Sequence, residues 1–305
     1  MTRIVAIGEC MVEIAPVATE GRFRLSYAGD TLNTAWYLRR LLGSGDQIDY
    51  FTVVGTDVIS DKMLSFLQQA GIGTEYIFRH DNRSVGLYLI QLQAGERSFS
   101  YWRNDSAART LAADPVRLQV ALDGADLVYF SGITLAILPP VDRTSLLTVL
   151  RRFRSGGGIV VFDPNLRPKL WTSPDEMAHA VMQAAAVSDI ALPSYDDEAN
   201  WFGDDSLEAT LHRYASARVG CCIVKNGSGR ILACDNGYRM ICDPIQDVTL
   251  VDSTAAGDSF NAGFIAARLQ GADLLDAVQS GASLAAQVIE KFGALVEVDL
   301  MQTKN

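Results

Sequence analysis

The sequence predicts a doubly wound α/β fold, a mostly parallel sheet with helices on both faces and a second, smaller β-sheet beside it. Three observations support this. Short β-branched runs recur along the chain, longer helical segments separate them, and two stretches depart from that rhythm. Ile4–Ile7 opens the series as a strand, followed by a helix around Thr31–Leu42, a strand at Ile48–Val54 and a helix around Asp61–Gln69. Strands at Leu127–Phe130, Ile159–Phe162, Ile190–Leu192 and Cys222–Val224 then alternate with helices around Asp142–Arg154, Ser173–Ala186 and Ser206–Ala217. The strands are almost continuously apolar, as expected for parallel strands buried on both faces.

The two departures are Met11–Tyr27 and Ser84–Arg103, whose alternating patterns suit hairpins. Strands there leave the main sheet and form the small one. Placed over the carboxyl edge of a parallel sheet, where ligands of such folds bind, it would act as a lid. No internal repeat, low-complexity tract or linker divides the chain, so residues 1–305 are expected to form one unit carrying that lid.

With 305 residues and 49% hydrophobic content, the chain can bury a sizeable core. Its apolar runs are far shorter than a membrane span, and Met-Thr-Arg leads directly into the first strand, so neither a membrane partner nor a signal peptide is expected. Cys10, Cys221, Cys222, Cys234 and Cys242 include no C-x-x-C pair and have no nearby His, which suits reduced thiols in a cytoplasmic protein. A net charge of −10 without any Lys/Arg stripe weighs against nucleic acid. Any anion must be held by individual cations. His80, His179 and His212 are isolated and carry no assigned role. The sequence contains no G-x-x-x-x-G-K-[ST], and no G-x-G-x-x-G opens a helix after the first strand, which weighs against P-loop kinases and a simple dinucleotide-binding protein.

The most informative segment is Val251-Asp252-Ser253-Thr254-Ala255-Ala256-Gly257-Asp258-Ser259-Phe260-Asn261-Ala262-Gly263. Small residues precede a carboxylate, and Phe260, Phe264 and Ala267 then mark one face of a helix. Backbone N–H groups in such a turn can close around an anion. Asp258 would repel phosphate as a ligand, so its place there suits a base that activates a hydroxyl. An acidic first turn favoured by the helix dipole is the plainer alternative.

Four other segments belong with it. In Tyr27-Ala28-Gly29-Asp30-Thr31-Leu32-Asn33-Thr34-Ala35, Asp30 or Thr31 reads as a helix N-cap, while Gly29 and Asp30 also sit where backbone and carboxylate can meet sugar hydroxyls. Asp163-Pro164-Asn165-Leu166-Arg167 places three polar groups after a strand. Leu192-Pro193-Ser194-Tyr195-Asp196-Asp197-Glu198 is an acidic helix start, and Val224-Lys225-Asn226-Gly227-Ser228-Gly229 reads equally as a hairpin turn or a nucleotide loop.

Together these segments resemble the ribokinase-like (PfkB) carbohydrate kinases from Gly8 to about Gly293. The Asp258 segment is similar to the family's C-terminal signature, whose Asp is the catalytic base, with Ala255 where many members have Gly. Gly29-Asp30-Thr31-Leu32-Asn33-Thr34-Ala35 and the Tyr88, Tyr101, Arg103 set resemble those of 2-keto-3-deoxygluconate kinases. The resemblance implies a ribokinase-like fold and ATP-dependent phosphorylation of 2-keto-3-deoxygluconate on its terminal hydroxyl. Asp258 would be the base, and Gly29, Asp30, Asn33, Tyr88, Tyr101, Arg103 and Arg167 would hold the sugar acid. Asn165, Lys225, Gly227, Ser228, Ala255, Ala256 and Gly257 would face ATP. The family's N-x-x-E motif, tied to Mg²⁺, falls on Ser194 and Asp197, with Glu198 one residue out of register. ATP and Mg²⁺ are thus the implied cofactors, with a monovalent cation such as K⁺ as a further candidate. A homodimer through the lid is expected, because exposed apolar strands need cover. Two alternatives stay open: a sibling kinase for a neutral sugar or nucleoside, and a silent member that only senses a sugar.

Overall fold

The computed structural model describes residues 1–17, 21–93 and 96–299. A nine-stranded sheet forms the body. Six of its strands are those expected from the sequence: β1 (Arg3–Ile7), β4 (Gln47–Gly55), β8 (Leu127–Ser131), β9 (Ile159–Asp163), β10 (Ile190–Ala191) and β11 (Cys221–Val224). The patterning did not single out β5 (Ile77–His80), β12 (Ile231–Asp235) or β13 (Tyr238–Cys242). The strand order is β13-β12-β11-β10-β9-β8-β1-β4-β5. Pairing is parallel from β5 to β11, and β12 and β13 add antiparallel ribbons at one edge.

Strand alternation sends side chains to two cores. Ile4, Ala6, Tyr50 and Tyr129 face one side with α1 (Asp30–Leu41), α9 (Ala256–Leu269) and α10 (Leu274–Ile289). Val5, Ile7, Phe130 and Phe162 face the other with α3 (Pro115–Leu122), α4 (Gly132–Ile137), α5 (Pro140–Ser155) and α6 (Pro174–Ala185). Both faces are therefore covered, which is why these strands read as unbroken apolar runs. The helices α2 (Val58–Gln69) and α8 (Leu207–Ser216) also fall where expected to within a few residues.

The two irregular stretches form a four-stranded sheet in the order β3-β2-β6-β7, from β2 (Met11–Pro16), β3 (Phe23–Ala28), β6 (Leu87–Gln93) and β7 (Glu96–Trp102). It is mixed, because β2 and β6 run parallel between two antiparallel pairs. Met11, Ala28, Tyr88 and Ile90 pack from this sheet onto Ala255 and Ala294 of the body, and thus onto the turn that opens α9. Among the described residues no helix is long and apolar enough to cross a membrane. All five cysteines are free thiols.

The order of the main sheet reverses at β1, with later strands added first on the β4 side and then on the β8 side. Loops that leave the carboxyl ends of strands flanking such a reversal diverge and open a crevice. Gly8–Cys10 after β1, Pro164–Arg167 after β9, Ser194 after β10 and Lys225 after β11 all lie at that edge.

Candidate active site

Asp258 occupies the first turn of α9, whose entry residue Ala255 adopts the left-handed region with φ 60° and ψ 15°. That conformation costs a Cβ-bearing residue about 1–2 kcal/mol, which Gly would avoid. It turns the chain so that α9 begins under the small sheet. The Asp258 Oδ2 accepts from Asn33 Nδ2 at 2.7 Å, and its backbone carbonyl accepts from Thr34 Oγ1 at 3.1 Å, so α1 and α9 are locked together at their N-termini. Although Asp258 is only partly closed to solvent, the surrounding protein pushes its carboxyl well above the usual carboxylate range. The Asp30 carboxylate raises it further, while the Asn33 hydrogen bond opposes the shift.

Helix α1 opens at Gly29, with no side-chain cap, and Asp30 is its first helical residue rather than its cap. A Cβ on Gly29 would lie 2.2 Å from the Glu9 carbonyl oxygen, so this close approach admits only glycine. Freed from capping, Asp30 accepts from its neighbour Thr31 N at 2.9 Å and from Asn165 Nδ2 at 2.8 Å. Burial raises its carboxyl as well. Asn165 sits at φ 35° and so turns the loop after β9 back across the crevice towards α1.

Behind Asp258 lies a network that joins Lys225, expected at the phosphates, to Asp163, Asn261 and Tyr129, to which motif reading gave no role. Lys225 Nζ donates to Asn261 Oδ1 at 3.0 Å and lies 3.6 Å from Asp163 Oδ2. Asn261 Nδ2 donates to Asp163 Oδ2 at 2.7 Å and to Tyr129 Oη at 3.0 Å. These groups are buried or nearly so, and they tie β8, β9, β11 and α9 into one frame. Asn261 is a polar residue in an otherwise apolar helix run, and that contrast was the available signal.

The remaining expected residues fall in two places. Arg167 is half exposed at the crevice, donates to its neighbour's carbonyl on Leu166 at 2.6 Å, and lies 3.6 Å from Asp197 Oδ2. Burial raises the Asp197 carboxyl and Arg167 counters it. Glu198, the out-of-register alternative, is fully buried and accepts from Arg213 Nη2 at 2.7 Å and Tyr214 Oη at 2.9 Å, on the far side of α7 (Tyr195–Phe202). Of the two, Asp197 is the carboxylate that faces Arg167, Asp163 and Lys225. Gly227 and Ser228 form the exposed turn between β11 and β12, with Gly227 at φ 51°. Ala256 N–H is taken by Ser253 O at 3.2 Å, and Gly257 lies beside Lys225.

On the small sheet, Tyr88 and Tyr101 are directly opposed on β6 and β7 with ring centroids 5.8 Å apart. Tyr101 is exposed, whereas Tyr88 is buried and donates to Glu13 Oε2 at 2.5 Å. Arg103 is buried and pairs through Nη2 with Glu9 Oε2. Sequence reading missed both glutamates, although each is a carboxylate in the apolar stretch around Cys10, Met11 and Val12.

Asp258 thus lies at the start of α9 beside the crevice, with the small sheet packed onto the turn that precedes it. The model of the pfkB family carbohydrate kinases matches residues 1–299, and the chain belongs to that family. It is 40% identical over 308 residues to the 2-dehydro-3-deoxygluconokinase of Dickeya dadantii, covering 98% of each chain. Among solved structures it is similar to the 2-dehydro-3-deoxygluconokinase of Thermotoga maritima, with a TM-score of 0.85 at 21% identity over 99% of this chain and 97% of that one. A ribokinase II from Escherichia coli in complex with ATP and Mg²⁺ gives the same TM-score of 0.85 at 21% identity, over 100% of this chain and 98% of that one.

Proposed function

We propose that the chain phosphorylates 2-keto-3-deoxygluconate (2-dehydro-3-deoxygluconate) on its terminal hydroxyl at the expense of ATP. The observation that carries this is the position of Asp258: a carboxylate with raised proton affinity, aimed by Asn33 into the crevice beneath the small sheet. Full-length similarity to a 2-dehydro-3-deoxygluconokinase supports the choice of substrate.

In this mechanism Gly29, Asp30 and Asn33 receive the sugar hydroxyls, and Tyr88 and Tyr101 border the sugar from the small sheet. Arg103 and Arg167 receive its carboxylate, which a chain of net charge −10 must bind with local cations. Asp258 removes the proton from the terminal hydroxyl as its oxygen bonds to the γ-phosphorus and the bond to ADP breaks. Lys225, Asn165, the Gly227–Ser228 turn and the backbone of Ala255–Gly257 face the phosphates. The segments at about 11–27 and 84–103 act as a lid that excludes water as a competing acceptor, in a single kinase unit spanning residues 1–305.

Mg²⁺ fits this donor set. It takes one or two protein carboxylates and leaves its other positions to phosphates and water. Asp197 offers one carboxylate at the crevice, and no cluster of three His, Cys, Asp or Glu ligands occurs among the described residues. When bound with the nucleotide, Mg²⁺ neutralises phosphate charge. K⁺ is proposed as an additional stimulant, tested by exchanging potassium for tetramethylammonium salts. The free thiols suit the reducing cytoplasm.

The alternative acceptor is a neutral sugar or nucleoside of the same family. A coupled ADP-release assay across sugar acids, neutral sugars and nucleosides decides. Preference for the keto-deoxy acid is expected, and preference for ribose or fructose rejects it. No turnover of any sugar would instead leave a sugar sensor.

A further inference from the structure

Glu9 and Arg103 stand at the base of the small sheet, where the chain enters β2 and leaves β7. Both side chains are almost wholly buried, at 1% and 6% exposure. Their contact is one-sided: Arg103 Nη2 meets Glu9 Oε2, while Arg103 Nε and Glu9 Oε1 are buried without hydrogen-bond partners. A buried cation with no counter-charge is strongly disfavoured, so Glu9 is what keeps the guanidinium inside rather than swung into solvent. The same glutamate touches a second part of the site, since its carbonyl oxygen is the atom pressed against Gly29. Opposite the carboxylate, Gly86 leaves room for Oε1, which would lie 2.7 Å from a Cβ at that position. Glu9 thus bridges the α1 entry, which carries Gly29, and the exit of β7, which carries Arg103.

We infer that Glu9 is a positioning residue that fixes Arg103 for the carboxylate of the acceptor sugar, and so sets selection for an acid over a neutral sugar. The inference rests on Arg103 meeting that carboxylate. The Glu9 side chain pairs with Arg103 and not with a residue expected to face ATP, so its effect should be confined to the acid end of the acceptor.

The test is a double-mutant cycle of Glu9→Ala and Arg103→Ala, assayed with the sugar acid, with the analogue whose carboxylate is reduced to an alcohol, and with ATP varied. Glu9→Ala is expected to raise KM for the acid about tenfold, with the KM for the alcohol analogue and for ATP changing less than about twofold, and to add nothing to Arg103→Ala. Glu9→Gln keeps an acceptor for Nη2 and is expected to restore most of the acid KM. Equal losses for acid, alcohol and ATP, or full additivity in the cycle, overturn the inference. An unchanged KM for the acid in Glu9→Ala overturns it too. If Arg103→Ala itself leaves the acid KM unchanged, it is the assignment of Arg103 that fails. Should Glu9→Ala not fold, Glu9→Asp replaces it: the charge stays but the carboxylate retracts by one methylene, and a rise of about threefold or more in acid KM is required.

Discussion

Asn33 Nδ2 donates to Asp258 Oδ2 at 2.7 Å and joins residues 225 positions apart at the facing N-termini of α1 and α9. The bond engages one oxygen of the carboxylate and leaves Oδ1 to meet a hydroxyl. It also holds the group against the protein that raises its proton affinity. For a base at Asp258, orientation would come from Asn33, and basicity from enclosure and the nearby Asp30.

Asp258→Asn should lower kcat by at least ~10²-fold with little change in either KM, as loss of a general base does. Near wild-type turnover would reduce Asp258 to a residue of the first helical turn. The same variant should be more stable than wild type at neutral pH. A carboxyl whose folded pKa exceeds its unfolded one stabilises fully below the unfolded value and loses that contribution as pH rises through the folded value. At pH 7 the wild type therefore carries a penalty that the neutral amide lacks. Thermal melts should show the gap closing as the pH is lowered towards 4.

Removing the Asn33 amide should shift this balance. The hydrogen bond favours the ionised form of Asp258, so Asn33→Ala should raise the carboxyl further. The acidic limb of the kcat/KM profile should then move to higher pH in Asn33→Ala than in wild type. A limb that stays in place, or moves to lower pH, would mean that the titration belongs to another group.

Ala255→Gly tests the entry to α9. Glycine relieves about 1–2 kcal/mol at φ 60° but adds about 0.4–1 kcal/mol of unfolded-chain entropy. The net gain of up to about 1.6 kcal/mol should raise Tm by up to about 2–3 °C in a chain of this size. A lower Tm would show that the alanine methyl, which packs with Met11 and Tyr88, outweighs the backbone term.

The main sheet was legible because strands buried on both faces are written as unbroken apolar runs. The edge strand β13 was not, since its Tyr238, Arg239 and Ile241 face solvent and lack that pattern. Helix α10 shows its period through Ala277 and Gly281 as much as through Leu284, which weakens the signal. At the site, Asp258 and Arg167 were legible as polar groups placed just after turns. Glu9, Glu13, Asp163 and Asn261 were not, because their importance lies in partners on other elements. Spacing along the chain carries no trace of such contacts. The choice between Asp197 and Glu198 likewise needed the helix phase, which turns Glu198 inward to Arg213.

The outer face of the small sheet predicts assembly. Phe23, Leu25 and Trp102 are exposed at 54%, 48% and 59%, and strand register puts them on the face opposite Tyr88. Such a patch invites a second copy of the sheet. Light scattering at micromolar concentration should report a homodimer, and Leu25→Asp combined with Trp102→Ser should convert it to monomer. A wild type that is already monomeric would remove the proposal of a lid-to-lid dimer.

Arg167 offers the sharpest test of the substrate. Its guanidinium is about half exposed and 3.6 Å from Asp197, a separation that gives a weak ion pair worth under ~1 kcal/mol. It is therefore available to exchange that partner for a carboxylate that enters the crevice. Its fork can give an acid two parallel hydrogen bonds, a geometry that a neutral sugar cannot use in the same way. Charge-assisted bonds of roughly 1.5–3 kcal/mol correspond to a KM increase of about tenfold or more, so Arg167→Ala should show at least that for the sugar acid. The KM for ATP should change much less. Loss of the arginine should also raise the Asp197 carboxyl, since Arg167, together with Lys225, lowers it. If ATP affinity falls in step with the acid, Arg167 serves the phosphates instead. If the acid KM does not move, the arginine is a surface partner of Asp197, and the case for a carboxylate-bearing acceptor rests on Arg103 alone.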